Sequence, residues 1–232
     1  MEARDVMTTQ VITVSPDQTV SDIARLFVTH RISAVPVVDP AGQVVGIVSE
    51  GDLIDRADAG TRHRMSWWLE FLAGSERQAQ AYLRAHGKRA RDVMTRDVVS
   101  VDEKAPLAEI AALLEKRRIK RVPVLRGGKL VGIVSRANLL HGLVAQQAAP
   151  AGSASARELR AAVQRELAEA GIGVDRVNVV VSEDAVQLWG WVDSELERKA
   201  AGAAAEAAAG ERTVENHVTV MPAQLKATYG GL

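Results

Sequence analysis

Hydrophobic and polar positions along this chain follow two periods, and they alternate. Val11-Ile12-Thr13-Val14 is a β-branched run and predicts a short strand. Thr19-Val20-Ser21-Asp22 has the Thr-x-x-acid spacing of a capping box, and Ile23, Leu26 and Phe27 then recur at helical spacing. Val35 to Val38 predicts a strand, Asp39-Pro40-Ala41-Gly42 a turn, and Val44 to Val48 the returning strand. Ser49 can cap a helix that runs through Leu53 and Ile54.

The pattern then repeats. Arg4-Asp5-Val6-Met7-Thr8 recurs as Arg91-Asp92-Val93-Met94-Thr95, Arg31-Ile32 as Arg118-Ile119, and Val35-Pro36-Val37 as Val122-Pro123-Val124. After a one-residue deletion, Val45-Gly46-Ile47-Val48-Ser49 returns as Val131-Gly132-Ile133-Val134-Ser135. Matches in one order over this length mark two copies of a β-α-β-β-α unit. One copy is too small to bury both faces of its sheet, so the two are expected to share a pseudo-symmetric core.

Beyond Ala148-Ala149-Pro150-Ala151-Gly152-Ser153, a small-residue stretch that reads as a linker, the order changes to α-β-β-α-β. Ser155-Ala156-Arg157-Glu158 is a capping box before Leu159, Val163 and Leu167. Strands are predicted over Val177 to Val181, Val186 to Val192 and Thr213 to Val220. Ser194-Glu195-Leu196-Glu197 opens an Ala-rich helix. Gly190 inside a strand predicts a bulge or a close backbone approach. Trp189 and Trp191 share a strand face, either packed on a helix or exposed as a docking patch.

Composition narrows the chemistry. With 47% hydrophobic residues in 232, disorder throughout is excluded. The absence of Cys excludes disulfides, Cys-ligated zinc, iron–sulfur clusters and thiolate catalysis. No Gly-x-Gly-x-x-Gly or Walker-type loop points to a Rossmann cofactor or NTP hydrolysis, and no metal-spaced His cluster occurs. Formal net charge is +0, divided as 21 basic against 17 acidic residues over 1–150 and 8 against 12 over 151–232. That imbalance is too small for nucleic-acid binding but suits a small anionic ligand. Met1-Glu2-Ala3-Arg4-Asp5 has no apolar h-region, and no apolar run approaches a bilayer span. The expected location is cytoplasmic, or peripheral on a membrane.

The Arg-Asp-Val-Met-Thr starts, the Val-Pro-Val strands and the Gly-Ile-Val-Ser endings, in tandem, resemble a pair of CBS domains, a Bateman module. Val186-Gln187-Leu188-Trp189-Gly190-Trp191-Val192 with Ser194 and Glu197 resembles the centre of a BON domain. Gly210 and Val214-Glu215-Asn216-His217-Val218 resemble that family's closing segment, with Glu211 where the family usually has Val. The expected fold class is therefore α/β (α+β): a pseudo-symmetric pair of β-α-β-β-α CBS repeats followed by a small α-β-β-α-β BON-like domain. The boundaries are expected at 1–59 for repeat one, 60–88 for a helical insert, 89–145 for repeat two, 146–154 for a linker, 155–222 for the BON-like domain and 223–232 for a tail. In the insert, Trp67, Trp68 and Phe71 suit packing on the CBS pair or at a dimer interface, or a membrane interface.

The resemblance implies a non-catalytic regulatory module that binds AMP, ADP, ATP or another adenosyl ligand and dimerises through its CBS pair. CBS pairs also occur in inosine-monophosphate dehydrogenases. That catalysis requires a separate barrel domain and a Cys nucleophile, and neither is found here. By resemblance, Asp52 is the ribose position and Ser49 lies beside the ligand. A carboxylate at a helix start can accept both hydroxyls of a diol, and it can equally act as a cap. Ser135 and Asn138 are the corresponding residues in copy two, where an amide replaces the acid. Lys120 and Arg121 precede Val122-Pro123 and are positioned, by resemblance, for phosphate, which an Arg fork suits. Backbone contacts to a base would come from Thr13, Ser100, Val35 and Val122. BON domains imply a phospholipid or protein partner. An alternative reading is an envelope- or phospholipid-associated structural protein whose CBS pair serves mainly for dimerisation.

Overall fold

A computed structural model describes residues 1–57, 87–146 and 154–221. The expected aromatic insert helices, the linker centre and the tail lie outside the described residues. The helices and strands are, in order, α1 (Ala3–Val6), α2 (Val20–His30), β1 (Ala34–Val38), β2 (Val44–Ser49), α3 (Glu50–Ala57), α4 (Ala90–Val93), β3 (Val101–Asp102), α5 (Leu107–Lys116), β4 (Arg121–Arg126), β5 (Lys129–Ser135) and α6 (Arg136–Gln146). The C-terminal part adds α7 (Ala154–Glu169), β6 (Val177–Val181), β7 (Ala185–Val192), α8 (Glu195–Ala209) and β8 (Thr213–Val220). The chain divides into two compact units, residues 12–98 and residues 1–11 with 99–232.

In the unit 12–98, β1 and β2 form an antiparallel hairpin with Ala34 opposite Ser49 and Val37 opposite Gly46. The strand expected over Val11–Val14 is reduced to one parallel bridge, Val14 to Val37. Thr19 caps α2 by accepting from the Asp22 N–H at 3.1 Å. Arg31 ends it at φ 53°, and its repeat counterpart Arg118 sits at φ 54°, so the left-handed stop is part of the repeat. Ile23 and Phe27 bury against Val35, Val37 and Val48. The same core takes in Ala90, Val93 and Met94, which belong to the opening motif of copy two.

The other unit mirrors this arrangement. The opening motif of copy one, with Ala3, Val6 and Met7, packs into the core of copy two with Ile110, Leu114, Val122, Val124 and Val134. Each Arg-Asp-Val-Met-Thr segment thus completes the repeat that does not follow it directly. The two glycines of the Val-Gly-Ile-Val segments make room for the exchange. A Cβ on Gly46 would strike the Met94 thioether, and one on Gly132 would strike Met7. The motif's acid has a local task as well. Asp5 Oδ2 accepts the Glu2 N–H at 2.7 Å and closes the single turn of α1. β3 runs parallel to β4, and β4 antiparallel to β5.

Residues 154–221 form a sheet in the order β6-β7-β8, antiparallel between β6 and β7 and parallel between β7 and β8. Val179, Val186 and Leu188 point from it onto Val163 and Leu167 of α7 and onto Ala201 and Ala205 of α8. Alanine at these α8 positions lets the two helices approach closely over the sheet. Ser194 caps α8 by accepting from the Glu197 N–H at 3.1 Å, and Glu197 accepts the Asp193 N–H at 2.8 Å. The reverse face carries Gln187, Trp189 and Trp191. Trp189 lies between two imidazoles, His141 of α6 with ring centroids 4.9 Å away and His217 of β8 at 4.1 Å. Trp191 lies under the Arg176 guanidinium, 5.1 Å from it. The two tryptophans share a face but have different neighbours. Among the described residues, no helix is long and apolar enough to cross a membrane.

Candidate functional site

Each repeat carries one side-chain clasp, built where its second long strand meets the following helix. In the unit 12–98, β2 ends at Ser49 and the chain turns at once into α3. Ser49 donates from its backbone N–H at 2.8 Å and from Oγ at 2.6 Å, both to Oδ2 of Asp52. The Glu50 N–H donates to the Ser33 carbonyl at 3.0 Å. This clasp fixes the Asp52 carboxylate at the start of α3. Oδ1 has no hydrogen-bond partner among the described residues. Thr13 is exposed beside the hairpin. Its neighbour Val14 donates to Pro36 O at 3.1 Å and accepts from the Val38 N–H at 2.9 Å. Val35 is fully buried, backbone included, and presents no surface to a ligand.

The same clasp recurs between β5 and α6. Ser135 donates from N at 2.8 Å and from Oγ at 2.6 Å to Oδ1 of Asn138. The amide at this position answers a partner from the opening segment of the chain. Asn138 is 5% exposed, and its Nδ2 donates to the Val6 carbonyl at 3.0 Å. A carboxylate at that position would face the carbonyl oxygen with no proton to offer. Both ends of the Asn138 amide are therefore engaged by the protein itself. Arg121 pairs with Ser135 across β4 and β5, and paired residues point to one sheet face. Lys120 is exposed one position earlier and Ser100 is exposed just before β3, while Val122 is fully buried in the core. The structure thus puts Arg121 beside Ser135, and Lys120 on the adjoining turn.

Sequence reasoning passed over the residues that tie repeat two to residues 154–221. Arg160 of α7 is 5% exposed. It donates to Val179 O at 2.7 Å, to Arg4 O at 2.7 Å, and to Met7 O. Arg157 donates to Asp5 Oδ1 at 2.8 Å and pairs with Glu2 at 3.3 Å. The opening segment of the chain is therefore held from both sides, by Asn138 at Val6 and by Arg160 at Arg4 and Met7. One signal was available: Arg160 falls on the apolar stripe Ala156, Val163, Leu167, where a buried cation needs acceptors.

Known proteins resemble this chain in both its repeats and its C-terminal part. The CBS domain model matches residues 3–58 and 90–145, and the BON domain model matches residues 155–222. The chain belongs to the CBS-domain proteins and carries a C-terminal BON domain. The protein MJ1426 of Methanocaldococcus jannaschii is 30% identical over 155 residues, covering 62% of this chain and 92% of that protein. CBS domain-containing protein YhcV of Bacillus subtilis is 30% identical over 136 residues, covering 59% and 81%. The crystal structure of CBSX2 in complex with AMP is similar at 28% identity and a TM-score of 0.54, covering 62% of this chain and 96% of that one. An inosine-5'-monophosphate dehydrogenase of Methanocaldococcus jannaschii is 30% identical over 140 residues, but that match covers only 23% of the enzyme.

Proposed function

We propose that this protein is a non-catalytic regulatory sensor whose CBS pair takes an adenine nucleotide. In this reading Asp52 accepts the ribose hydroxyls beside Ser49. On the first repeat the base meets the backbone near Thr13, Val35 itself being fully buried, and on the second repeat Lys120 and Arg121 offer cations to phosphate. On the second repeat Ser100 and Ser135 face the candidate site, Asn138 serves as its clasp, and Val122 supports it from the core. The observation that carries the reading is the Ser49–Asp52 clasp, which presents a fixed carboxylate at the start of α3. The likeness to CBSX2, solved with AMP, supports it. The BON domain relays the ligand state to a protein or phospholipid partner, and vesicle co-sedimentation with and without AMP distinguishes the two.

Calorimetry of the full chain tests the ligand. Asp52→Asn should weaken AMP and adenosine alike, by roughly ten- to a hundred-fold if one charge-assisted bond of about 1.5–3 kcal/mol is lost. Lys120→Ala with Arg121→Ala should weaken AMP far more than adenosine, and the difference should shrink in high salt. Wild-type binding that neither variant alters would move the ligand elsewhere.

A second feature supports self-association through the CBS pair. Leu140, Leu143 and Val144 are 61%, 54% and 43% exposed on α6. Leu140 and Leu143 line a groove of about 750 Å³ with Leu107, Ala108 and Ala111 of α5. An apolar helix pair of this kind suits a self-complementary two-fold interface. Wild type should scatter light as a dimer, and Leu140→Asp with Leu143→Asp should shift it to monomer. A wild-type monomer at tens of micromolar would sink the idea.

A further inference from the structure

We propose that His141 is a proton switch that holds the BON domain on the second CBS repeat while neutral and releases it when protonated. This goes beyond nucleotide sensing and does not require it. The argument begins at Arg160, a donor-only side chain. Burial pushes its guanidinium down to about 10, so it remains a cation at neutral pH. Asn178 on β6 lies between Arg160 and His141. Its Oδ1 accepts from Arg160 Nη2 at 3.4 Å, and its Nδ2 meets His141 Nδ1 at 3.5 Å.

The cation fixes the orientation of the amide, because the reversed amide would point N–H groups at a guanidinium. Nδ2 therefore faces His141, and Nδ1 of His141 must be an unprotonated acceptor. A proton on Nδ1 sets N–H against N–H. Turning Asn178 to relieve this would confront Arg160 with the same conflict. On its face, His141 stacks on Trp189, whose other side carries His217.

Among the described residues, the neighbouring charges do not offer His141 a substitute partner. On β8, Glu215 lies 3.2 Å from His217 and pairs with that ring. On α1, Asp5 is bound by Arg157, and Glu2 by Arg4 and Arg157. The cations facing this region are Arg4 on α1 and Arg157 and Arg160 on α7. On the other side of α6, Glu115 of α5, Arg118 just beyond that helix and Arg136 of α6 itself border the apolar groove, and Lys129 stands at the far end of β5. From β7, Trp189 stacks on His141 and donates to Gln187 Oε1 at 3.4 Å. Burial holds the His141 imidazole below its ordinary value, with the charge of His217 acting in the same direction. The docked form thus binds fewer protons than the released form. The contact is complete above the free-imidazole pKa of about 6.5 and weakens as pH falls below it.

Hydrogen exchange of the full chain at pH 7.5 and pH 5, read as protection factors, tests the switch. Wild type should lose protection several-fold in α6 and β6 at the lower pH, while the 12–98 unit is unchanged. His141→Phe keeps the stack and removes the proton site, so its protection should not depend on pH. Asn178→Asp gives the imidazolium an acceptor that also suits Arg160, and it should hold the contact at pH 5. Flat wild-type protection would overturn the proposal. So would pH dependence that persists in His141→Phe, or an Asn178→Asp chain that releases at pH 5 as wild type does.

Discussion

Arg160→Leu is expected to destabilise the protein by about 3–5 kcal/mol, the cost of breaking a buried cation held by several hydrogen bonds. Arg160 donates to Val179 O, Arg4 O and Met7 O from a position on the core stripe of α7. Leucine fills much of the volume but leaves three carbonyl oxygens without their donor, and each unmet buried acceptor costs about 1–3 kcal/mol. The loss is not confined to residues 154–221. Arg4 and Met7 belong to the segment that completes the core of repeat two, so Ala3, Val6 and Met7 lose an anchor together. Arg160→Lys keeps the charge but not the planar fork and should fall between wild type and Leu. Denaturant unfolding monitored by circular dichroism measures both variants. An Arg160→Leu midpoint equal to wild type would mean that water supplies the missing donors.

The Arg160 network also marks where sequence reading stopped. The repeat was legible because its strands, turns and caps are local, and local patterns recur at fixed spacing. Thr19 and Ser194 cap their helices as their spacing implied. The exchange of the Arg-Asp-Val-Met-Thr segments was not legible. Periodicity says that Val6 and Met7 are buried but not beneath which sheet. The clue lay in Gly46 and Gly132, whose missing side chains make room for a methionine contributed by the other copy's motif. The strand expected at Val11–Val14 shrank to one bridge because only Val14 reaches β1.

The candidate site divides in the same way. The Ser49–Asp52 and Ser135–Asn138 clasps were visible as short-range spacing. The reason for the amide at 138 was not visible, because its partner, the Val6 carbonyl, lies 132 residues away. Trp189 was correctly placed on a strand face with Trp191, yet its stacking partner His141 belongs to a helix of the CBS repeat. A lone His before Gly142 in an apolar helix carries no spacing signal. Its meaning comes from Asn178 and, behind it, from Arg160.

Gly190→Ala should destabilise residues 154–221 by about 3–5 kcal/mol, from backbone strain combined with overpacking. Gly190 sits at φ +137°, a region that L side chains rarely adopt. It pairs with Val177 across β6 and β7. A Cβ there would overlap the Arg176 carbonyl oxygen and come within 3.0 Å of its carbon and 3.2 Å of the Val177 Cα. These are main-chain atoms, so no rotamer change relieves the clash. Either β7 lifts from β6 or the Arg176 peptide turns, and the Trp191 N–H that reaches Arg176 O at 3.3 Å loses its acceptor. Either movement shifts Trp189 on its strand and disturbs its stack with His141. Gly190→Ala should therefore expose β6 and β7 to hydrogen exchange and lower the thermal midpoint, with the 12–98 unit unaffected. Gly171, at φ +75° with nothing near its absent Cβ, is the control: Ala there meets backbone strain without a clash and should cost less. Equal losses at the two glycines would assign the effect to φ alone and remove the Arg176 contact from the account.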